Sequence, residues 1–177
     1  DAASGNATGS SGNSSDEYSL VTKPIDGLTL SAHYNAVNDY DDGVTTEQQL
    51  EEGGAYALKY SAGNITVGYG KSLHAPEITT VVGSGANHDD PEYYENTGLS
   101  IGFAVNDDLS VSYTREESER NLANSGTIQY DIEMDSIQVA YSLGGATLSI
   151  ARADYENVNY IQNYDAEETI VAMTFAF

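Results

Sequence analysis

Apolar residues in this chain recur at every second position in nine separate stretches, and that period of two constrains the fold more than any other feature. EYSLVT (17–22), LTLSAHYNAV (28–37), AYALKYS (55–61), ITVGYGKSL (65–73) and TGLSIGFAV (97–105) alternate in this way. So do LSVSYTRE (109–116), SIQVAYSL (136–143), ATLSIARADY (146–155) and the last ten residues, ETIVAMTFAF. Successive side chains of a strand point to opposite faces, whereas a helix repeats every 3.6 residues. An all-β fold is therefore predicted, and helical signals are almost absent.

The connections between these stretches come in two sizes. KPIDG, AGN, NDD and GG are tight-turn sequences of Pro, Asp, Gly and Asn inside four hairpins. The connections between hairpins, roughly 38–53, 75–92, 117–128 and 158–167, are long, polar and acidic. Strict alternation of short and long puts all the tight turns at one end of an antiparallel sheet and all the long loops at the other. Outer-membrane barrels do this with periplasmic turns and extracellular loops, and a Greek-key sandwich has no reason to. Ten residues at about 3.3 Å each, tilted by about 40°, cover roughly 25 Å, the height of the apolar band of such barrels.

The two faces differ in chemistry. One carries Leu28, Leu30, Tyr34, Leu58, Tyr60, Val67, Ile101, Phe103, Val111, Val139 and Tyr141, and the other Thr29, Ser31, His33, Asn35, Ala57, Lys59, Thr66, Gly68, Ser100, Ser112 and Gln138. A sandwich core would meet more of its own kind, whereas a water-filled lumen calls for the small hydroxylic set. The phase changes in IQYDIEMD (128–135), which predicts either a bulge near Ser136 or residues standing above the membrane.

Composition fits this reading. Six Lys or Arg against 28 Asp or Glu give a net charge of −22, which argues against nucleic acid and against attraction to anionic surfaces. The chain has no Cys, so disulfides and thiolate metal sites are out of reach. No run approaches the ~18 apolar residues of a transmembrane helix, a test that barrel strands escape because their faces alternate. Fourteen Tyr without a Trp suit a membrane–water boundary. The opening DAASGNATGSSGNSSDE has neither Met nor a charged-then-apolar leader, as expected of a processed or partial chain.

The hairpins YSLVTKPIDGLTLSAHY, YALKYSAGNITVGYG and VAYSLGGATLSIARADYENV, with the terminal TIVAMTFAF, resemble those of the trimeric general-diffusion porins of Gram-negative bacteria, particularly the alphaproteobacterial type, over residues 17–177. The resemblance implies a homotrimer in the bacterial outer membrane, in contact with its lipids and lipopolysaccharide. It also implies that Val171, Met173, Phe175 and Phe177 match the alternate positions of the terminal strand read by the barrel-assembly machinery. Such porins have sixteen strands, whereas about nine are counted here. An odd number of alternating strands does not close antiparallel, so a transmembrane up-and-down β-barrel is expected of which this chain supplies the C-terminal part. Residues 1–16 then read as a long polar extracellular loop, residues 17–177 as barrel strands, and the remaining N-terminal strands as partners.

The expected function is passive diffusion of small hydrophilic solutes and ions, cation-preferring because acids crowd the loops. Lumen-lining candidates are Ser31, His33, Asn35, Lys59, Thr66 and Gln138, with Lys23 near a tight turn. Lys23 and Lys59 suit a positive wall. In the resembling family the opposing acids sit on an inward-folded third loop, which would lie in the N-terminal part. Lys71, Arg115 and Arg152 fall on the apolar face, where phosphates, acids at a subunit interface or unpaired snorkelling would accommodate them. Asp39, Asp41 and Asp42, and Asp89, Asp90 and Glu92, offer hard oxygen ligands for Ca²⁺, against a reading as solvated loops. His33, His74 and His88 form no triad with a Ser and an acid, so an enzyme is not expected. Two other classes stay open: a small eight-stranded barrel with a structural or adhesive role, and a soluble carbohydrate-binding β-sandwich.

Overall fold

The computed structural model of the protein describes residues 15–37, 45–81, 91–122 and 128–175. Nine strands form one antiparallel sheet in chain order. They are β1 (Ser15–Thr22), β2 (Leu28–Val37), β4 (Glu52–Ala62), β5 (Ile65–Ala75), β7 (Pro91–Ala104), β8 (Leu109–Leu122), β9 (Ile132–Leu143), β10 (Ala146–Glu156) and β11 (Ala166–Phe175). Each pairs with its predecessor, the up-and-down order that alternating apolar stretches and tight turns dictate. β1 pairs with β2 over Ser15–Thr22, so this segment is a ninth strand of the sheet and not a separate element beside eight.

The four tight turns all lie at one end. Gly144 and Gly145 both have positive φ, 56° and 92°, the chemistry of a two-residue hairpin whose twist matches its strands. In the turn after β7 the Asn106 side chain accepts from the backbone N–H groups of Asp108 and Leu109, both at 2.9 Å, and so closes the loop locally. Gly27 has φ 77°, and its carbonyl accepts from Ser61 N–H at 2.9 Å.

At the other end the strands run farther than the hydrophobic pattern alone suggests. β7 starts at Pro91 and β8 continues to Leu122, into segments expected as loop, because a backbone ladder is indifferent to side-chain polarity. The long connections 38–53 and 75–92 are not purely loop either: β3 (Thr45–Gln49) and β6 (Ile78–Val81) pair as a second small sheet. Gln49 fastens this flap by donating to the carbonyls of Pro76 at 2.8 Å and Glu92 at 2.7 Å.

No bulge occurs near Ser136. β9 keeps unbroken register with β10 from Glu133 to Leu143 and with β8 from Ile132 to Tyr141. The phase change is one of side-chain chemistry and not of register. Ile132 and Met134 belong to the otherwise polar face, where they line a recess with Tyr155, while Glu133 and Asp135 continue the face of Ile137 and Val139.

Among the described residues nothing stacks on the nine-stranded sheet as a second layer of sheet, and the only buried hydrophobic side chain is Leu122, 8% exposed. Leu99, Ile101 and Phe103 stand 55%, 48% and 47% exposed on one face. A water-soluble β-sandwich is defined by the opposite arrangement, two sheets enclosing a dry core.

The turn end supplies a test of local geometry. A Cβ on Gly27 would lie 2.2 Å from the Ser61 carbonyl oxygen, at a φ that L-residues avoid. Gly27→Ala is expected to destabilise the folded protein by at least about 1–2 kcal/mol from the left-handed conformation alone, read as a lowered denaturation midpoint. An unchanged midpoint would count against this turn geometry.

Candidate functional site

Register places the candidate residues on their faces. One rung runs from Ser61 through Thr66, Gly102, Ser112 and Gln138 to Ala151. The next face over, at nearly the same height, carries Ile65, Phe103, Val111, Val139, Ile150 and Val171. Ser31, His33 and Asn35 of β2 pair with Ala57, Ala55 and Gly53 of β4, so they share the polar face with Lys59. The structure thus brings Ser31, His33, Asn35, Lys59, Thr66 and Gln138 onto one surface.

That surface is small and hydrogen-bonding. Ser61 and Thr66 hydroxyls lie 3.0 Å apart, as do those of Ser142 and Thr147, and the Asn96 amide donates to Ser72 Oγ at 3.3 Å. Glycines make room for these groups: a Cβ on Gly68 would fall 2.5 Å from Ser100 Oγ. His33 Nδ1 is 3.8 Å from a Glu17 carboxylate oxygen across the β1–β2 pair. Lys23 and Lys59 line a single recess at the turn end together with Asp26 and Ser61. The two lysines are therefore neighbours in space as well as in expectation.

Lys71, Arg115 and Arg152 lie on the apolar face, and none of them is unpaired. Each pairs with acids of its own chain. Lys71 Nζ sits 2.6 Å from Glu95, Arg115 pairs with Glu133 and Asp135, and Arg152 pairs with Asp154 and Glu167. Tyrosines join the same band: Tyr34 donates to Glu52 at 3.0 Å, Tyr113 donates to Asp135, and the Tyr56 and Tyr69 rings pack 6.2 Å apart. The change is abrupt along the strands. Ile65, Phe103, Val111, Val139, Ile150 and Val171 form a wholly apolar rung, yet four residues up β8, β9 and β10 the same face carries Arg115, Asp135 and Asp154.

Val171, Met173 and Phe175 occupy the apolar face of β11, opposite Ile150, Leu148 and Ala146. Phe177 lies outside the described residues, as do Asp39, Asp41, Asp42, Asp89 and Asp90. Glu92 is in β7, and its carbonyl serves the Gln49 amide.

Sequence reasoning missed two participants. Arg120 belongs to the polar face, since it pairs with Tyr94, whose neighbour is His74. Extending the alternation of Ser110, Ser112 and Thr114 past Glu116 would have found it. Tyr160 reaches the same place from a connection with no periodic signal at all: its ring lies 4.6 Å from the Arg120 guanidinium carbon.

Glu117, Glu119 and Asp131 also converge, each with a carboxylate oxygen within 4.8 Å of the others. They stand at the far end of β8 and just before β9, past the apolar stretch 109–115. Glu119 is exposed, and slight desolvation of its carboxyl, then the nearby charges of Asp131, Glu95 and Glu117, raise it above the ordinary glutamate value, while Lys71 opposes them. These oxygens suit a hard divalent cation, which would relieve the repulsion.

Compared with protein-family models, with curated proteins and with solved structures, the chain matches none. What it does must therefore be read from its two faces.

A carboxyl whose pKa is raised by folding binds protons more tightly in the folded state, so stability falls as pH rises through the window between the unfolded and folded values. Glu119→Gln removes that penalty. The variant is expected to melt higher than the wild type at pH 7, and the difference should vanish near pH ~3, well below the ordinary glutamate value of about 4.3, where Glu119 is protonated in both states. Thermal unfolding at the two pH values is the measurement, and a variant that melts lower at pH 7 would show that the carboxylate is held by a favourable partner.

Proposed function

We propose that the protein is part of an outer-membrane porin, a water-filled barrel through which small hydrophilic solutes and ions diffuse passively. The observation that carries this reading is a nine-stranded sheet with a broad exposed apolar face backed by a small hydroxylic one, with almost nothing buried among the described residues. Lipid is the solvent that suits the first face and water the second. The strip of tyrosines and ion pairs along one edge of the apolar face suits the headgroup boundary, where paired charges and amphipathic rings are tolerated. A carbohydrate-binding sandwich would require a second sheet over Leu99, Ile101 and Phe103.

β1 and β11 are the edges of the sheet, and on this reading further strands complete the barrel between them, giving the even number that antiparallel closure demands. A homotrimer embedded among outer-membrane lipids and lipopolysaccharide, inserted by the barrel-assembly machinery through the apolar positions of β11, completes the proposal. Transport of this kind needs neither a cofactor nor a catalytic group.

Cations are the expected preference. A net charge of −22 concentrates them at the mouth, and screening over about 8 Å at physiological salt weakens the effect as salt rises. Protein extracted from outer membranes should migrate faster on gels before heating than after, and in planar bilayers its reversal potential under a KCl gradient should report cation selectivity that declines with concentration. Anion selectivity at low salt would sink the proposed sign, and heat-independent migration without conductance would sink the porin reading.

A further inference from the structure

The connection between β10 and β11 does not project away from the sheet but folds back across its polar face. Tyr160 shows how far it travels. Its ring packs 6.0 Å from Tyr94 of β7, its hydroxyl lies 2.8 Å from Ser118 Oγ of β8, and its face covers the Arg120 guanidinium. In the sheet β8 is two places from β10 and β7 three, so the connection spans strands to which it is not joined.

The connection is internally braced. The Asn157 amide donates to the Asp131 carbonyl at 3.1 Å, and its Oδ1 accepts from Asn163 N–H at 3.0 Å. Tyr130 donates to Gln162 at 2.9 Å, and Val158 N–H bonds the Tyr164 carbonyl at 2.7 Å. Four residues sit at positive φ, and three are Asn, which tolerates it. The fourth is Tyr160, φ 59°, a bulky residue for which this conformation is costly. Such a conformation persists only where surrounding contacts hold it.

Arg120 is the anchor on the other side. Lys71, Arg115 and Arg152 each have carboxylate partners, whereas among the described residues the Arg120 guanidinium forms no ion pair and its buried Nε has no hydrogen-bond partner. The Tyr160 ring is what covers it. A cation over an aromatic face is attracted more strongly when water is excluded.

We infer that residues 157–165 form a strap latched across the polar face by Tyr160 on Ser118 and Arg120, and that this latch narrows the passage beside it. The latch stands on these contacts alone. The narrowing rests on the porin reading.

The test uses the assembled full-length protein with Tyr160→Ala, Tyr160→Phe and Arg120→Gln. Hydrogen exchange at Val158, Asn163 and Tyr164, whose amides are bonded within the strap, should accelerate about tenfold in Tyr160→Ala, since a hydrogen bond and a cation–π contact are lost together. Tyr160→Phe and Arg120→Gln each remove one of the two and should fall between, with β9 and β10 unchanged in all three. Single-channel conductance should rise in Tyr160→Ala. Unaltered strap exchange in all three variants overturns the latch, whether or not the protein conducts. Faster exchange with unchanged conductance in an active channel overturns the narrowing. Absence of conductance in the wild type overturns the porin reading, and exchange still decides the latch.

Discussion

The structure depends on the backbone hydrogen-bond ladder of one layer of strands. With only Leu122 buried among the described hydrophobic residues, no packed interior holds the strands together. Continuous antiparallel pairing takes that place, and it satisfies N–H and C=O groups within the sheet whatever lies above or below. Both faces are then free to be chosen for their surroundings. A medium without hydrogen-bonding capacity on one side imposes this condition, because there an unmet backbone group costs several kcal/mol.

The six bases divide along the same lines. Lys71, Arg115 and Arg152, on the apolar face, each have carboxylate partners. Lys59 and Arg120 share the polar face, with Lys23 at its turn end, and no ion pair joins these three to a carboxylate among the described residues. The division follows from dielectric. A charge beside an apolar surface needs compensation at contact distance, whereas Lys23 and Lys59 line an open recess and Arg120 is covered by the Tyr160 ring instead of a carboxylate. The positive groups left without carboxylates are thus those on the side proposed to meet solute.

Much of this was legible in the sequence, because period-two alternation fixes both strand and face at once. The polar set from Ser31 to Gln138 and the apolar set of β11 sit where alternation put them. What escaped was whatever alternation does not encode. The upper part of β7 lacks an apolar signal while keeping its ladder, so Glu95, the partner of Lys71, falls outside every alternating stretch, and Glu133 of β9, a partner of Arg115, falls in the segment 128–135 where the phase changes. Ile132 and Met134 inverted the pattern without shifting the register. Tyr160 meets β7 and β8 through a connection whose path is set by Asn backbone conformations, not by any repeat.

Every pairing in the nine-stranded sheet joins strands that follow one another in that sheet, and four of the eight are closed by turns of two to five residues. Chain topology of this kind keeps contact order low for an all-β molecule: little loop-closure entropy is lost before each new ladder forms. Four hairpins can close independently of chain length, and each finished edge offers the template for the next. Assembly becomes a sequence of nearest-neighbour additions in which no strand must be threaded between two others. On the proposed porin reading the sheet is completed at a membrane, one strand after another, and having no partner more than one step away in the sheet serves that order.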